Sequence, residues 1–382
     1  MTRRLEEIDA LRGLMLVWMT LTHLPTVLSQ FVNQPFGFVS AAEGFILLSA
    51  LFTGRIYFRL ADRSGYHAMY RRLGVRTLRL YGYHIALLMF AFTVGSLTTH
   101  GNHPGVHNLL DYYFAVGPKH AILLGAFLIY RPPLLDILPM YIIFLILTPI
   151  ALTLGERIGW KYVLGGGFFL WFLAELGFRQ VSHDFLARTF GFSIPLNEMG
   201  YFDLWAWQFL WVLGLWFGVK WAKDELQPHL DIWAKRLFVP ALIIVPAMFA
   251  LRIAVGRVLE LGNLEVTFDK WHFGVFRLVD FACMAALLWR FKGPLRAISI
   301  RPLVLLGQAS LQVFCAHLLF CFIGLTIMGN AAIVHGWRQL LLLAGTFGAL
   351  LVTARIFSKG ENNLTRNTPG PTSQLAPHHA EG

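Results

Sequence analysis

Residues 7–28 read EIDALRGLMLVWMTLTHLPTVL. The run is apolar enough for a bilayer, yet Asp9, Arg12 and His23 stand in or beside it. A charged side chain at mid-bilayer costs about 2.5–3.5 kcal/mol on insertion scales, so such residues persist where they face a partner or a cavity. In a helix, Arg12 and His23 fall within about 20° of one face and about 16 Å apart along the axis. Asp9 lies one turn below Arg12, placed to pair with it. One helix would then carry an anion-binding charge near one end and a base near the other. Taken alone, a membrane histidine reads equally well as a hydrogen bond to a neighbouring helix. No small-residue cleavage site follows the run, so a retained helix is expected rather than a signal peptide.

The rest of the chain extends this reading. Its 382 residues are 56% hydrophobic and only 14% charged, with mean hydropathy +0.58. Soluble domains carry roughly a quarter charged residues. The composition therefore predicts an all-α integral membrane protein, a bundle of about ten transmembrane helices, each needing about 20 apolar residues. Candidate spans run over 11–29, 38–57, 78–98, 134–154, 162–178, 203–221, 237–255, 273–290, 302–328 and 336–356. The stretch KHAILLGAFLIY, 119–130, is apolar but short and is expected to be interfacial or re-entrant, with an extra span as the alternative.

Basic residues crowd alternate loops. Arg55, Arg59, Arg63, Arg71 and Arg72 fall in one such loop, and Lys220, Lys223, Lys235 and Arg236 in another, while the intervening loops are sparse. The positive-inside rule then puts both termini in the cytoplasm. The net charge of +11 belongs to these loops rather than to a nucleic-acid surface. The loop THGNHPGVHNLLDYYFAVGPKH is rich in histidine, but no ligand pair has helical spacing, so no metal is expected. Cys283, Cys315 and Cys321 sit in apolar runs and read as small buried hydrophobes. Residues 1–356 form one membrane domain, and the polar stretch 357–382 is expected to be a disordered cytoplasmic tail.

The most basic region, MYRRLGVRTLRLYGYH, opens the third span. Its arginines read either as a topogenic anchor or as a cytoplasmic site for a polyanion, since arginine suits two-point phosphate binding. Arg76, Arg79 and Tyr83 share a helical face, beyond what topology requires. Other polar residues within spans are Glu43, Ser49, Asp136, Tyr141, Glu175, Asp203, Gln208, Arg277, Asp280, Ser310 and His317.

These motifs together resemble the acyltransferase-3 membrane family. EIDALRGLMLVWMTLTH is similar to its opening helix, with Asp-x-x-Arg-Gly followed by Arg-x10-His. EGFILLSAL resembles its second-helix signature, with Glu43, Gly44 and Ala50 as departures. RRLGVRTLRLYGY resembles its basic third-helix entry, and LGQASLQVFCAH its late segment ending in His317. LLDILPMYIIFLILTPIAL and AWQFLWVLGLWFG point to one branch, the OpgC family, which modifies osmoregulated periplasmic glucans with succinyl groups. The resemblance implies a multi-pass protein of the bacterial inner membrane. It implies an acyl-CoA donor, succinyl-CoA, and a periplasmic glucan acceptor.

The residues suit that chemistry. Transfer from a thioester to a sugar hydroxyl needs a base, and His23 can serve. Glu43 on the next helix is the expected acid to orient it, with Arg12 and Asp9 completing the catalytic set. Tyr141, Gln208 and Ser49 can donate to a developing oxyanion. Arg71, Arg72, Arg76, Arg79 and Tyr83 are expected to hold the donor. Asp136, Tyr141, Gln208, Ser310 and His317 are expected to contact substrate. Direct transfer and an acyl-histidine intermediate both remain open, and a homo-oligomer is compatible with the chain. The competing class is a transporter or flippase of a glycan or anionic solute, against which stands the absence of repeats and broken-helix pairs.

Overall fold

The computed structural model describes residues 2–98, 103–191, 193–255, 258–291, 293, 296–329, 331 and 333–366. Among them, every regular element is helical. The long helices are α1 (Thr2–His23), α3 (Ala41–Leu97), α7 (Ile137–Leu154), α8 (Trp160–Glu175), α10 (Leu204–Ala222), α11 (Leu226–Ala254), α13 (Val275–Arg290), α15 (Ser310–Met328) and α16 (Trp337–Arg366). Shorter pieces connect them: α2 (Val27–Val32), α4 (Pro104–Leu109), α5 (Asp111–Val116), α6 (Pro118–Ala126), α9 (Phe178–Phe190), α12 (Glu265–Phe268) and α14 (Arg301–Gln308).

Among the described residues, six helical stretches are long and apolar enough to cross a membrane: Ala41–Leu97, Ile137–Glu175, Leu196–Ala222, Leu226–Ala254, Ser310–Met328 and Trp337–Ser358. They mark a multi-pass membrane protein. Two of them fold back on themselves. α3 reverses at Gly65, whose φ of 80° and ψ of 164° are non-helical. Its arms then lie side by side, so that Arg76 on the second donates to the Thr53 hydroxyl on the first at 3.2 Å. The basic segment expected as a loop between two spans is therefore helical on both sides of a single glycine. The second stretch turns through Gly155–Gly159, where Gly159 has φ 105°, and separates α7 from α8. α1 carries more charge than a simple span, and α13 is shorter.

Two further expectations are corrected. The first span ends at His23 rather than at 29, because Pro25 stops α1 two residues later and a separate turn, α2, follows. The span 302–328 breaks at Ala309 into α14 and α15. α6, only 9 residues long, is too short to cross a bilayer, in line with the non-spanning expectation for 119–130. Residues 357–366 continue α16, while 367–382, the bulk of the expected tail, lie outside the described residues.

Packing between apolar helices relies on small residues, which let backbones approach. A Cβ on Gly54 would meet the Leu215 carbonyl at 2.3 Å, and one on Gly218 the Leu51 carbonyl at 2.2 Å. Ala50-x-x-x-Gly54 on α3 thus interlocks with Gly214-x-x-x-Gly218 on α10. α1 is seated on α14 in the same way. A Cβ on Gly307 would fall 1.8 Å from the Asp9 carbonyl, and one on Gly13 would fall 2.0 Å from that of Leu303. This fixes the helix that carries Arg12 and His23.

The bundle has two chemically distinct ends. At one, Tyr70 meets Thr153 at 3.3 Å, Lys223 meets Glu156 at 2.9 Å, and the Arg55 guanidinium lies 3.6 Å over the Trp221 ring. At the other, Glu43 pairs with Arg277, the Asp136 carboxylate accepts from the Tyr201 amide at 3.0 Å, and the Asp203 amide donates to the Trp271 carbonyl at 3.0 Å.

Candidate active site

The site is built on α1 and α15. Arg12 donates to the Ser310 hydroxyl and lies 3.6 Å from the Asp9 carboxylate. Farther along both helices, His23 Nδ1 is 3.4 Å from His317 Nε2, and the two rings stack at 5.7 Å with 20° between planes. Two matched pairs in this order mean that α1 and α15 run in the same direction. Ser310 and His317, seven residues apart, share a face on α15, as Arg12 and His23 do on α1.

Around the first pair lies a cavity of about 50 Å³, lined by Arg12, Ser49, Arg76, Tyr141 and Ser310 among apolar side chains. Arg12 also lies 4.9 Å over the Phe52 ring, and Arg76 5.8 Å over that of Tyr57. Two guanidiniums and three hydroxyls thus face one space with largely apolar walls. A low-dielectric setting strengthens their pull on an anion. Phe45 and Phe314 also line the cavity and stack on each other at 6.0 Å. Phe314 packs edge-on against His317 at 4.8 Å. One phenyl ring therefore touches both the cavity and the histidine pair.

The structure joins Asp9, Arg12, Ser49, Arg76, Tyr141 and Ser310 in one place, and His23 with His317 beside it. It separates others. Glu43 does not bond to His23: its carboxylate accepts from the Ser40 amide at 3.0 Å and the Ser40 hydroxyl at 2.6 Å, and pairs with Arg277. The expectation that Glu43 orients His23 is thus corrected, since two partners already occupy its oxygens and His317 takes the imidazole. Gln208 donates to the Gly167 carbonyl at 2.6 Å, tying α10 to α8 away from the cavity. Arg79 is exposed while Arg76 is half-buried, because the inward face of this arm runs through Leu73, Arg76 and Leu80. Arg71 and Arg72 are exposed, and Tyr83 is half-buried. Asp136 is buried against the Tyr201 amide at the start of α7, one residue before the cavity-lining Ile137.

Two participants were not legible as site residues. Phe314 carries no polar signal. Lys270 looked like one loop charge among several, yet it lies within electrostatic reach of His23, Glu43 and Arg277. Its loop is held firmly: the Trp207 indole donates to the Trp271 carbonyl at 3.1 Å and the Trp171 indole to that of Phe273 at 3.0 Å. Among the described residues no cluster suits a metal ion.

Fold and site together define a polytopic membrane protein whose interior holds paired ionisable groups along two parallel helices. The chain belongs to the OpgC protein family, whose model matches residues 3–361. No curated protein and no solved structure matches it.

Proposed function

We propose that this protein is a membrane-bound O-acyltransferase that moves a succinyl group from cytoplasmic succinyl-CoA to a hydroxyl of a periplasmic glucan. Membership of the OpgC family points to the glucan. The observation that carries the chemistry is the double pairing of α1 with α15, with cations at one level and the imidazole pair at the other. In this reading the chain crosses the bacterial inner membrane about ten times, with both termini and the Gly65 reversal in the cytoplasm.

The nucleotide of the donor stays at the cytoplasmic mouth, where exposed Arg71, Arg72 and Arg79 meet its phosphates. The pantetheine arm enters the cavity past Arg76 and Arg12, toward Phe314 and the histidines. His23, backed by His317, takes the proton of the glucan hydroxyl as its oxygen attacks the thioester carbonyl carbon. The new C–O bond forms, the C–S bond breaks, and the proton passes to the departing CoA thiolate. The Ser49 and Tyr141 hydroxyls and the two guanidiniums are the donors available for negative charge developing on the carbonyl oxygen. Asp9 holds Arg12 in register. The His23–His317 contact supports base catalysis, because the second imidazole can share the proton.

The test uses purified protein in detergent with labelled succinyl-CoA and glucan. Label on the glucan in the wild type, lost in His23→Ala at matched protein level, supports the reading. No label on the glucan with folded wild type present contradicts it.

A further inference from the structure

A second cleft opens at the end of the bundle that holds the Gly65 reversal. It has a volume of about 300 Å³, and its lining includes Phe58, Asp62, Tyr66, Met69, Leu152 and Glu156. These residues come from both arms of α3, from α7 and from the Gly155–Gly159 turn that follows it. Both arms of α3 and α7 also line the Arg12–Ser310 cavity, through Ser49, Arg76 and Leu145. Leu145 to Leu152, and Arg76 back to Met69, are each two helical turns. The cleft therefore lies about 10 Å from that cavity along the same helices, toward Gly65.

The walls of the cleft are of mixed character. Phe58 and Tyr66 supply aromatic rings, and Tyr66 is exposed. The Lys223 ammonium lies 5.0 Å from the Phe58 ring centroid and 2.9 Å from the Glu156 carboxylate. The Arg157 guanidinium lies 6.0 Å from the Tyr66 ring centroid. Glu156 also accepts from the Trp160 indole at 3.0 Å, so both of its oxygens are engaged. Asp62 makes no hydrogen bond or ion pair among the described residues, which leaves its carboxylate as an open acceptor in the lining.

We infer that this cleft holds the adenine base of the acyl-CoA donor, stacked on Tyr66 and Phe58, with its exocyclic amino group donating to Asp62. The inference rests on the acyl-transfer reading and adds the place where the nucleotide is recognised. Bases stack on aromatic side chains, and a carboxylate accepts from an amino group. Phosphates are repelled from the interior by Asp62 and Glu156. They stay at the rim, where Lys223, Arg157 and the exposed Arg63 and Arg72 supply positive charge. A small organic cation is disfavoured, because Lys223 and Arg157 already lie on the two rings and Lys223 already pairs with Glu156. From the cleft the pantetheine arm runs along the groove between α3 and α7 toward Arg76.

The experiment measures equilibrium binding to purified protein in detergent. The probes are the adenosine bisphosphate that ends CoA and its inosine counterpart, which carries a carbonyl in place of the amino group. Wild type is expected to bind the adenosine form about tenfold more tightly. In Asp62→Ala the two forms should bind alike. Tyr66→Ala should weaken the adenosine form about tenfold, while Tyr66→Phe, which keeps the ring, should retain its affinity. Asp62 and Tyr66 are both exposed, so none of these replacements opens the core. Equal binding of the two forms by wild type, a preference that survives Asp62→Ala, or wild-type affinity in Tyr66→Ala overturns the adenine site and leaves acyl transfer standing. A wild type that shows the preference yet puts no label on glucan keeps the nucleotide site and overturns acyl transfer alone.

Discussion

His23 Nδ1 and His317 Nε2 stand 3.4 Å apart on two helices that run in the same direction. At that separation the two rings can act as one unit in moving a proton, so the effects of removing them should not be additive. His23→Ala and His317→Ala are each expected to lower the initial rate of glucan acylation by about 10²–10⁴. The double variant should be no slower than the slower single one. Rates at matched protein level decide this, and losses that multiply would mean two independent roles.

The position of Arg76 inside the cavity and of Arg79 outside it separates two kinds of donor contact. Arg76→Ala should weaken donor binding about tenfold to a hundredfold, since charge-assisted hydrogen bonds contribute about 1.5–3 kcal/mol. Arg79→Ala should weaken it less, and its effect should fade as salt rises toward about 1 M, where screening is short-ranged. Donor titrations at two salt concentrations check this. Equal effects with equal salt sensitivity would place both side chains at the surface.

Much of this was legible in the sequence, and the limits have physical causes. The register of Arg12 with His23 follows from helical period alone, and α1 shows it. The partners Ser310 and His317 lie about 300 positions away, and periodicity says nothing of which helices meet. Glu43 looked like the natural acid for His23 because acid and base sat on successive helices. Arg277, from a third helix, takes that acid. Arg79 was grouped with Arg76 by a three-residue spacing, but the buried stripe follows the four-residue step to Leu80. The basic stretch looked like a loop because charge usually marks one, whereas a single glycine makes the reversal.

Close backbone contact gives a test of how α1 is held. Gly307→Ala would place a Cβ 1.8 Å from the Asp9 carbonyl. Overpacking of this kind costs about 1–3 kcal/mol, and backbone cannot rotate away as a side chain can. The variant should melt lower than wild type in detergent and lose activity through displaced Arg12. Gly345→Ala, where a Cβ meets nothing within 4 Å, is the control expected to match wild type. A Gly307→Ala protein with wild-type melting would show that α1 and α14 are not tightly seated.

The loop that carries Asp269 and His272 gives a pH dependence. The Asp269 carboxylate, 2.6 Å from the His272 ring, raises the His272 pKa above its ordinary value of 6.5. A raised folded-state value means that the charged pair stabilises fully below about pH 6.5 and stops doing so as pH rises through the folded value. Wild-type thermal stability should therefore decline on going from about pH 6 to pH 8–9 by more than that of His272→Gln. Parallel curves for the two proteins would show that the pair does not contribute to stability.

In the proposed reaction an acyl group crosses the membrane through this protein while its carrier does not. Sealed vesicles with the cytoplasmic face outward, glucan enclosed and succinyl-CoA added outside, test it most directly. Succinylated glucan inside and free CoA outside are expected in equal amounts, both lost in His23→Ala. Intact solute moved across with no CoA thiol released, from folded protein with glucan present, would contradict it and favour a transporter.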